Sequence, residues 1–243
     1  MKNLISAYKY QLGKQMNAAA WFYGTVIVLY TVTTIITKNI AGVDVSTNAA
    51  EFSAIFLFVM GLCSFKENFF MLTQNNVSRG TIFKSRLMVA VTAALVVALA
   101  DILITGAYYA MNADLISRGW FRYTYMIDGG FFVPAEFLFK FALNLTALAA
   151  GYFITTMFYR LNRTGKVIVG AGVPTLVFII FPLVDFFLIG DPGGASVIQA
   201  IADAVKAMEL TTTALYTIPI LLLLAIIFSG FAWLLIRKAP VKK

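Results

Sequence analysis

Histidine is absent from the 243 residues, and cysteine occurs once, at Cys63. Without histidine the chain lacks the commonest general base and metal ligand, and a Ser-His-Asp triad is excluded. One cysteine excludes a disulfide within the chain, and no zinc-ligand spacing exists. A phosphate-binding loop is missing too. The nearest approach, "RTGKVIVG" with Gly165 and Lys166, lacks the upstream glycine and follows its lysine with valine rather than Ser or Thr. No catalytic residue, metal site or cofactor is therefore expected in this chain, and an enzyme acting alone is disfavoured. ATP hydrolysis, if used, belongs to another polypeptide.

Charge is also scarce. Asp, Glu, Lys and Arg make up 12% of the residues, where a soluble domain carries about a quarter. The chain is 60% hydrophobic, with a mean hydropathy of +0.85. A soluble core of 26.7 kDa could not hide this much apolar surface, but lipid can. The composition predicts an all-α membrane protein. The opening "MKNLISAYKYQLGKQMN" does not read as a cleavable signal, since no apolar core follows its lysines directly.

What is present is six long apolar runs. A hydrocarbon core of roughly 30 Å needs about 20 helical residues. The runs cover about 17–37, 49–65, 87–109, 131–158, 167–189 and 214–236. Fourteen Lys and Arg residues fall at the termini and in the second-to-third and fourth-to-fifth connections, against four in the opposite loops. The positive-inside rule then predicts both termini in the cytoplasm. It also accounts for the net charge of +8 without nucleic acid. The chain reads as a single transmembrane domain, 1–243.

Two further segments read as interfacial. Residues 1–16 place Ile5, Tyr8, Leu12 and Met16 on one stripe with Lys2, Lys9 and Lys14 off it, the pattern of a helix lying on an anionic leaflet. Residues 196–210 place Val197, Ile201, Val205 and Met208 on one face, predicting a short outer amphipathic helix before span six. "GAGVP", Gly170 to Pro174, and Pro182 should kink span five.

The connection 66–86, "KENFFMLTQNNVSRGTIFKSR", is basic yet carries an apolar block, Phe69 to Leu72. Its pattern predicts helix to about Gln74, a break at "NNVSRG", and a new helix near Arg79 capped by Ser78. Exposed aromatics at such a helix end mark a docking element.

Glu67 followed by "NFFMLTQNNVSRGTIF" is similar to the coupling-helix segment of ABC-2-type exporter permeases, an acidic residue, Phe and apolar residues before Asn-x-x-Ser-Arg-x-x-x-Phe. The size and the separate-subunit layout resemble the permeases of phenol-soluble modulin exporters of Gram-positive bacteria. One departure is Asn76 where glycine is expected, though Asn tolerates the left-handed conformation. The resemblance implies six spans, a homodimer in the bacterial plasma membrane, and a separate ABC ATPase in two copies that binds ATP and Mg. It places Glu67, Phe69, Phe70, Asn75, Ser78 and Arg79 at the ATPase contact. The cargo it implies is amphipathic, cationic peptide taken partly from lipid.

Four ionisable residues fall within predicted spans: Asp101, Glu136, Lys140 and Asp185. Each costs at least a few kcal/mol there unless paired or wet. Counting at about 1.5 Å per residue puts Asp101 level with Lys140, and Glu136 shares the face of Lys140 at i, i+4. An Asp101–Lys140–Glu136 cluster is therefore expected in the outer half of the membrane. It either lines a translocation path or forms an interhelix salt bridge. Asp185 is expected level with Glu136, lining a wet cavity. The same charges leave open a proton-coupled secondary carrier, and a peptide-binding immunity factor is the non-transporting alternative.

Overall fold

The computed structural model describes residues 2–39, 49–111, 132–172 and 214–237. Among these every regular element is helical: α1 (Lys2–Asn39), α2 (Ala49–Gln74), α3 (Arg79–Met111), α4 (Phe132–Arg160), α5 (Arg163–Val167) with a π-helical turn at Ile168–Gly172, and α6 (Ala214–Arg237). Four stretches are long and apolar enough to cross a bilayer: Phe52–Gln74, Arg79–Ile104, Pro134–Arg160 and Thr217–Arg237. The protein is thus an all-helical transmembrane protein. The predicted outer helix, Asp185 and most of the fifth span lie outside the described residues.

Helix α1 differs from expectation. The residues predicted as an interfacial segment and a first span form one uninterrupted 38-residue helix, which is not one of those four stretches. Its N-terminal half packs on protein through Ala7, Gln11, Gln15 and Ala19, all buried, which recur every fourth residue. The apolar residue Ile5 is exposed instead. Beyond Ala19 the outward residues are apolar, including Trp21, Ile27, Val28 and Leu29, as a lipid-facing surface requires.

The chain divides into two compact units, one holding 1–157 with 214–243 and the other 158–213. In the larger unit α3 is the central helix. Its buried stripe is built of small residues, Ala90, Ala93, Ala94, Val97 and Ala98, which let neighbouring backbones approach closely. Leu57 of α2 and Leu148 of α4 join this core, with Met16 and Tyr23 of α1 packed against it. Phe22 stacks on Phe56 at 4.3 Å between α1 and α2. Thr155 of α4 donates to the Leu62 carbonyl of α2 (2.7 Å), and Thr146 of α4 reaches the Leu221 carbonyl of α6 (2.8 Å).

In the smaller unit, the described part ends α4, turns at Leu161–Asn162 and resumes as α5 and the π-helical turn. Gly170 packs against the Phe158 ring there.

Candidate functional site

Helix α3 carries a charged residue near each end of its buried stripe. Arg86 is 3% exposed and Asp101 1%. Fifteen residues separate them, or about 22 Å along the helix.

The Asp101 end is closed by hydroxyls from two other helices. The Tyr23 hydroxyl lies 2.7 Å from Oδ1 and 2.9 Å from the Val97 carbonyl. Ser53 Oγ donates to Oδ2 at 2.7 Å. Asp101 therefore joins α1, α2 and α3 through charge-assisted bonds. Lys140 pairs with Glu136 at 2.7 Å, one turn away on α4, with both side chains largely buried. The Lys140 charge also acts on Asp101 through space, and Asn144 stands beside the same carboxylate. The residues Asp101, Lys140 and Glu136 are thus brought together. Counting alone missed the hydroxyls of Tyr23 and Ser53, and the fully buried Asn144 beside the same carboxylate.

The Arg86 end was not anticipated, because the residue had been grouped with the basic connection before α3. Here α1 supplies two amides. Gln11 Nε2 donates to Ser85 Oγ at 2.8 Å, and Arg86 Nη1 donates to Gln15 Oε1 at 3.1 Å. The guanidinium lies over the Tyr152 ring, 5.0 Å from its centroid. Its Nε and Nη2 have no hydrogen-bond partner among the described residues. No carboxylate pairs with it among the described residues. A groove of about 590 Å³ opens beside it between α3, α4 and α6, lined by Arg86, Tyr152 and otherwise almost wholly apolar residues.

The α2–α3 connection is tighter than a protruding loop. Helix α2 runs to Gln74 and α3 starts at Arg79, leaving Asn75–Ser78 between them. The turn closes with Val77 N–H donating to the Leu72 carbonyl and Asn76 N–H to the Thr73 carbonyl, both at 3.0 Å. Asn76 takes φ 56°. This is a Schellman C-cap with Asn at the left-handed position. Ser78 Oγ accepts from Thr81 N–H at 3.3 Å and so caps α3.

The residues expected at a partner contact divide. Glu67, Asn75 and Ser78 are exposed, as is Met71, and Phe70 is half-buried. Phe69 is not available: it is 1% exposed and stacks on Phe65 at 5.2 Å. The two phenylalanines are i, i+4 on the inward face of α2, which is why the chain buries them. Arg79 is half-buried and donates at the surface to the Arg237 carbonyl of α6 at 2.9 Å. Glu67 forms an ion pair with Lys14 of α1. A shallow apolar depression on α2 is lined by Cys63, Lys66, Glu67, Phe70, Met71 and Gln74. No group of His, Cys, Asp or Glu among the described residues could hold a metal ion.

Comparison with known proteins yields no match to a family model, a curated protein or a solved structure.

Proposed function

We propose that the chain is the membrane-spanning permease subunit of an ATP-driven exporter, with both termini cytoplasmic in a bacterial plasma membrane. Two copies enclose the path, and two separate ABC ATPase chains bind ATP and Mg beneath them. The cargo is amphipathic, cationic peptide. The turn at Asn75–Ser78 supports this reading. It is short and capped on both sides; Arg79, next in the chain, reaches α6, and Glu67, two turns earlier on α2, pairs with Lys14 of α1 at the surface. A push on that segment is delivered to three other helices, α1, α3 and α6, as a coupling element requires.

The docking surface in this reading is the exposed part of the segment: Lys66, Glu67, Phe70, Met71, Asn75 and Ser78. Phe69 and Arg79 serve as anchors that hold it. Purification in mild detergent should bring down a soluble ATPase. Phe70→Ala with Met71→Ala should lower coupled ATP hydrolysis at least several-fold while the permease keeps its helicity. Absence of any such ATPase, or full coupling in the double variant, removes the proposal.

The buried carboxylate at Asp101, held beside Lys140 and Glu136, favours a second reading, a proton-coupled carrier. Uptake into proteoliposomes without an ATPase, driven by a pH gradient and lost in Glu136→Gln, would decide for it.

A further inference from the structure

Buried arginines are ordinarily paired, because an unpaired charge in a low-dielectric interior is costly. Arg86 is held on one edge only. Gln15 takes Nη1, and the Tyr152 ring covers a face. The remaining donors, Nε–H and Nη2–H, are buried and have no hydrogen-bond partner among the described residues. In a guanidinium these two point the same way and form the fork that receives two oxygens of one anion. Arg86 lines the groove between α3, α4 and α6, and the walls beyond it are apolar: Leu145, Leu148, Leu222, Ala225, Ile226 and Trp233.

We infer that this groove binds a single-chain amphiphile with a carboxylate head, the carboxylate seated on the Nε–Nη2 fork and the apolar chain lying between α4 and α6. Charge complementarity selects the head. A neutral head would leave the fork incompletely satisfied, and a soluble anion would gain nothing from the apolar walls. The groove, at about 590 Å³, falls within the usual range for one small-molecule ligand. Arg86 lies seven residues into the apolar stretch that begins at Arg79, about 10 Å along the helix axis at 1.5 Å per residue. That depth lets a head group enter from the membrane boundary while its chain stays in hydrocarbon. The site does not depend on whether the protein is an ATP-driven exporter.

Trp233 on the groove wall is a reporter. In the full-length protein with Trp21→Phe and Trp120→Phe, its emission is read while a dibrominated stearate, its methyl ester, or a dibrominated phosphatidylglycerol is titrated into detergent micelles. The ionised stearate should half-quench Trp233 at roughly one-tenth the concentration of the ester, as expected for a charge-assisted fork. Arg86→Gln should abolish that difference. Gly230→Leu, at a position with no heavy atom within 4 Å of an added Cβ, should fill the groove and weaken quenching by stearate. Equal quenching by acid and ester, survival of the difference in Arg86→Gln, or tighter action by phosphatidylglycerol than by stearate would each overturn the assignment. If Arg86→Gln does not fold, Gly230→Leu decides alone: unchanged stearate quenching rejects the site, and loss of it supports the site.

Discussion

Gly61 of α2 and Gly151 of α4 meet backbone to backbone. A Cβ on Gly61 would stand 2.5 Å from the Leu148 carbonyl oxygen and 2.9 Å from the Tyr152 nitrogen, and a Cβ on Gly151 would collide with the Phe58 carbonyl. Neither obstacle is a movable side-chain tip. Gly151→Ala should therefore force the helices apart and cost about 1–3 kcal/mol, the usual penalty of overpacking. Gly24→Ala, where an added Cβ meets nothing within 4 Å, is the matched control. Thermal unfolding in detergent should show a lowered midpoint for the first and none for the second.

The Asp101 carboxylate depends on donors from two other helices. Tyr23→Phe removes one donor and leaves a buried charged acceptor short, a loss of about 1.5–3 kcal/mol. Combining it with Asp101→Asn should cost less than the sum of the separate changes. A double-mutant cycle read by thermal unfolding tests this, and strict additivity would show that the two groups do not act on each other.

Asn76 sits at φ 56°. Asn76→Gly should be neutral or stabilising, since glycine takes this conformation freely. Asn76→Val should destabilise by about 1–2 kcal/mol, the left-handed penalty for a residue with a Cβ. Faster hydrogen exchange at Asn75–Val77 in the valine variant would locate the effect.

The Lys14–Glu67 pair is solvent-facing, with side chains 46% and 63% exposed. Such pairs contribute about 0–1 kcal/mol. Removing both charges, Lys14→Met with Glu67→Gln, should leave the unfolding midpoint nearly unchanged. A large loss would show that the pair holds α1 in place.

Local chemistry was readable at the turn between α2 and α3. The run "NNVSRG" announces a stop, a left-handed Asn and a Ser cap, and each appears in place. The pairing of Lys140 with Glu136 follows from i, i+4 spacing, and depth counting puts Lys140 close enough for its charge to act on Asp101. The face of α1 did not follow. The spacing of Ile5, Tyr8, Leu12 and Met16 predicts a stripe that lies on the inner leaflet, with no side of α1 given to protein. Here Gln11 and Gln15 turn inward, where α3 meets Gln11 Nε2 with Ser85 Oγ and Gln15 Oε1 with the Arg86 guanidinium, partners that lipid would not supply. The recurrence of Ala7, Gln11, Gln15 and Ala19 every fourth residue was the available signal. Arg86 was hidden for a related reason: tallied with loop cations, it carried no mark of its inward direction. Phe69 read as exposed because its spacing from Phe65 was not weighed.

The seam between α1 and α3 has a further meaning. Tyr8 to Thr92, Gln11 to Ser85, Gln15 to Arg86 and Tyr23 to Asp101 make four clasps between the two helices. Alanines alone would leave their sliding position ambiguous, and slippage by one turn would undo all four clasps together. These two helices therefore travel as one piece. Little of α6 is buried, and it borders the groove, so a rearrangement that spares the clasps is cheapest there.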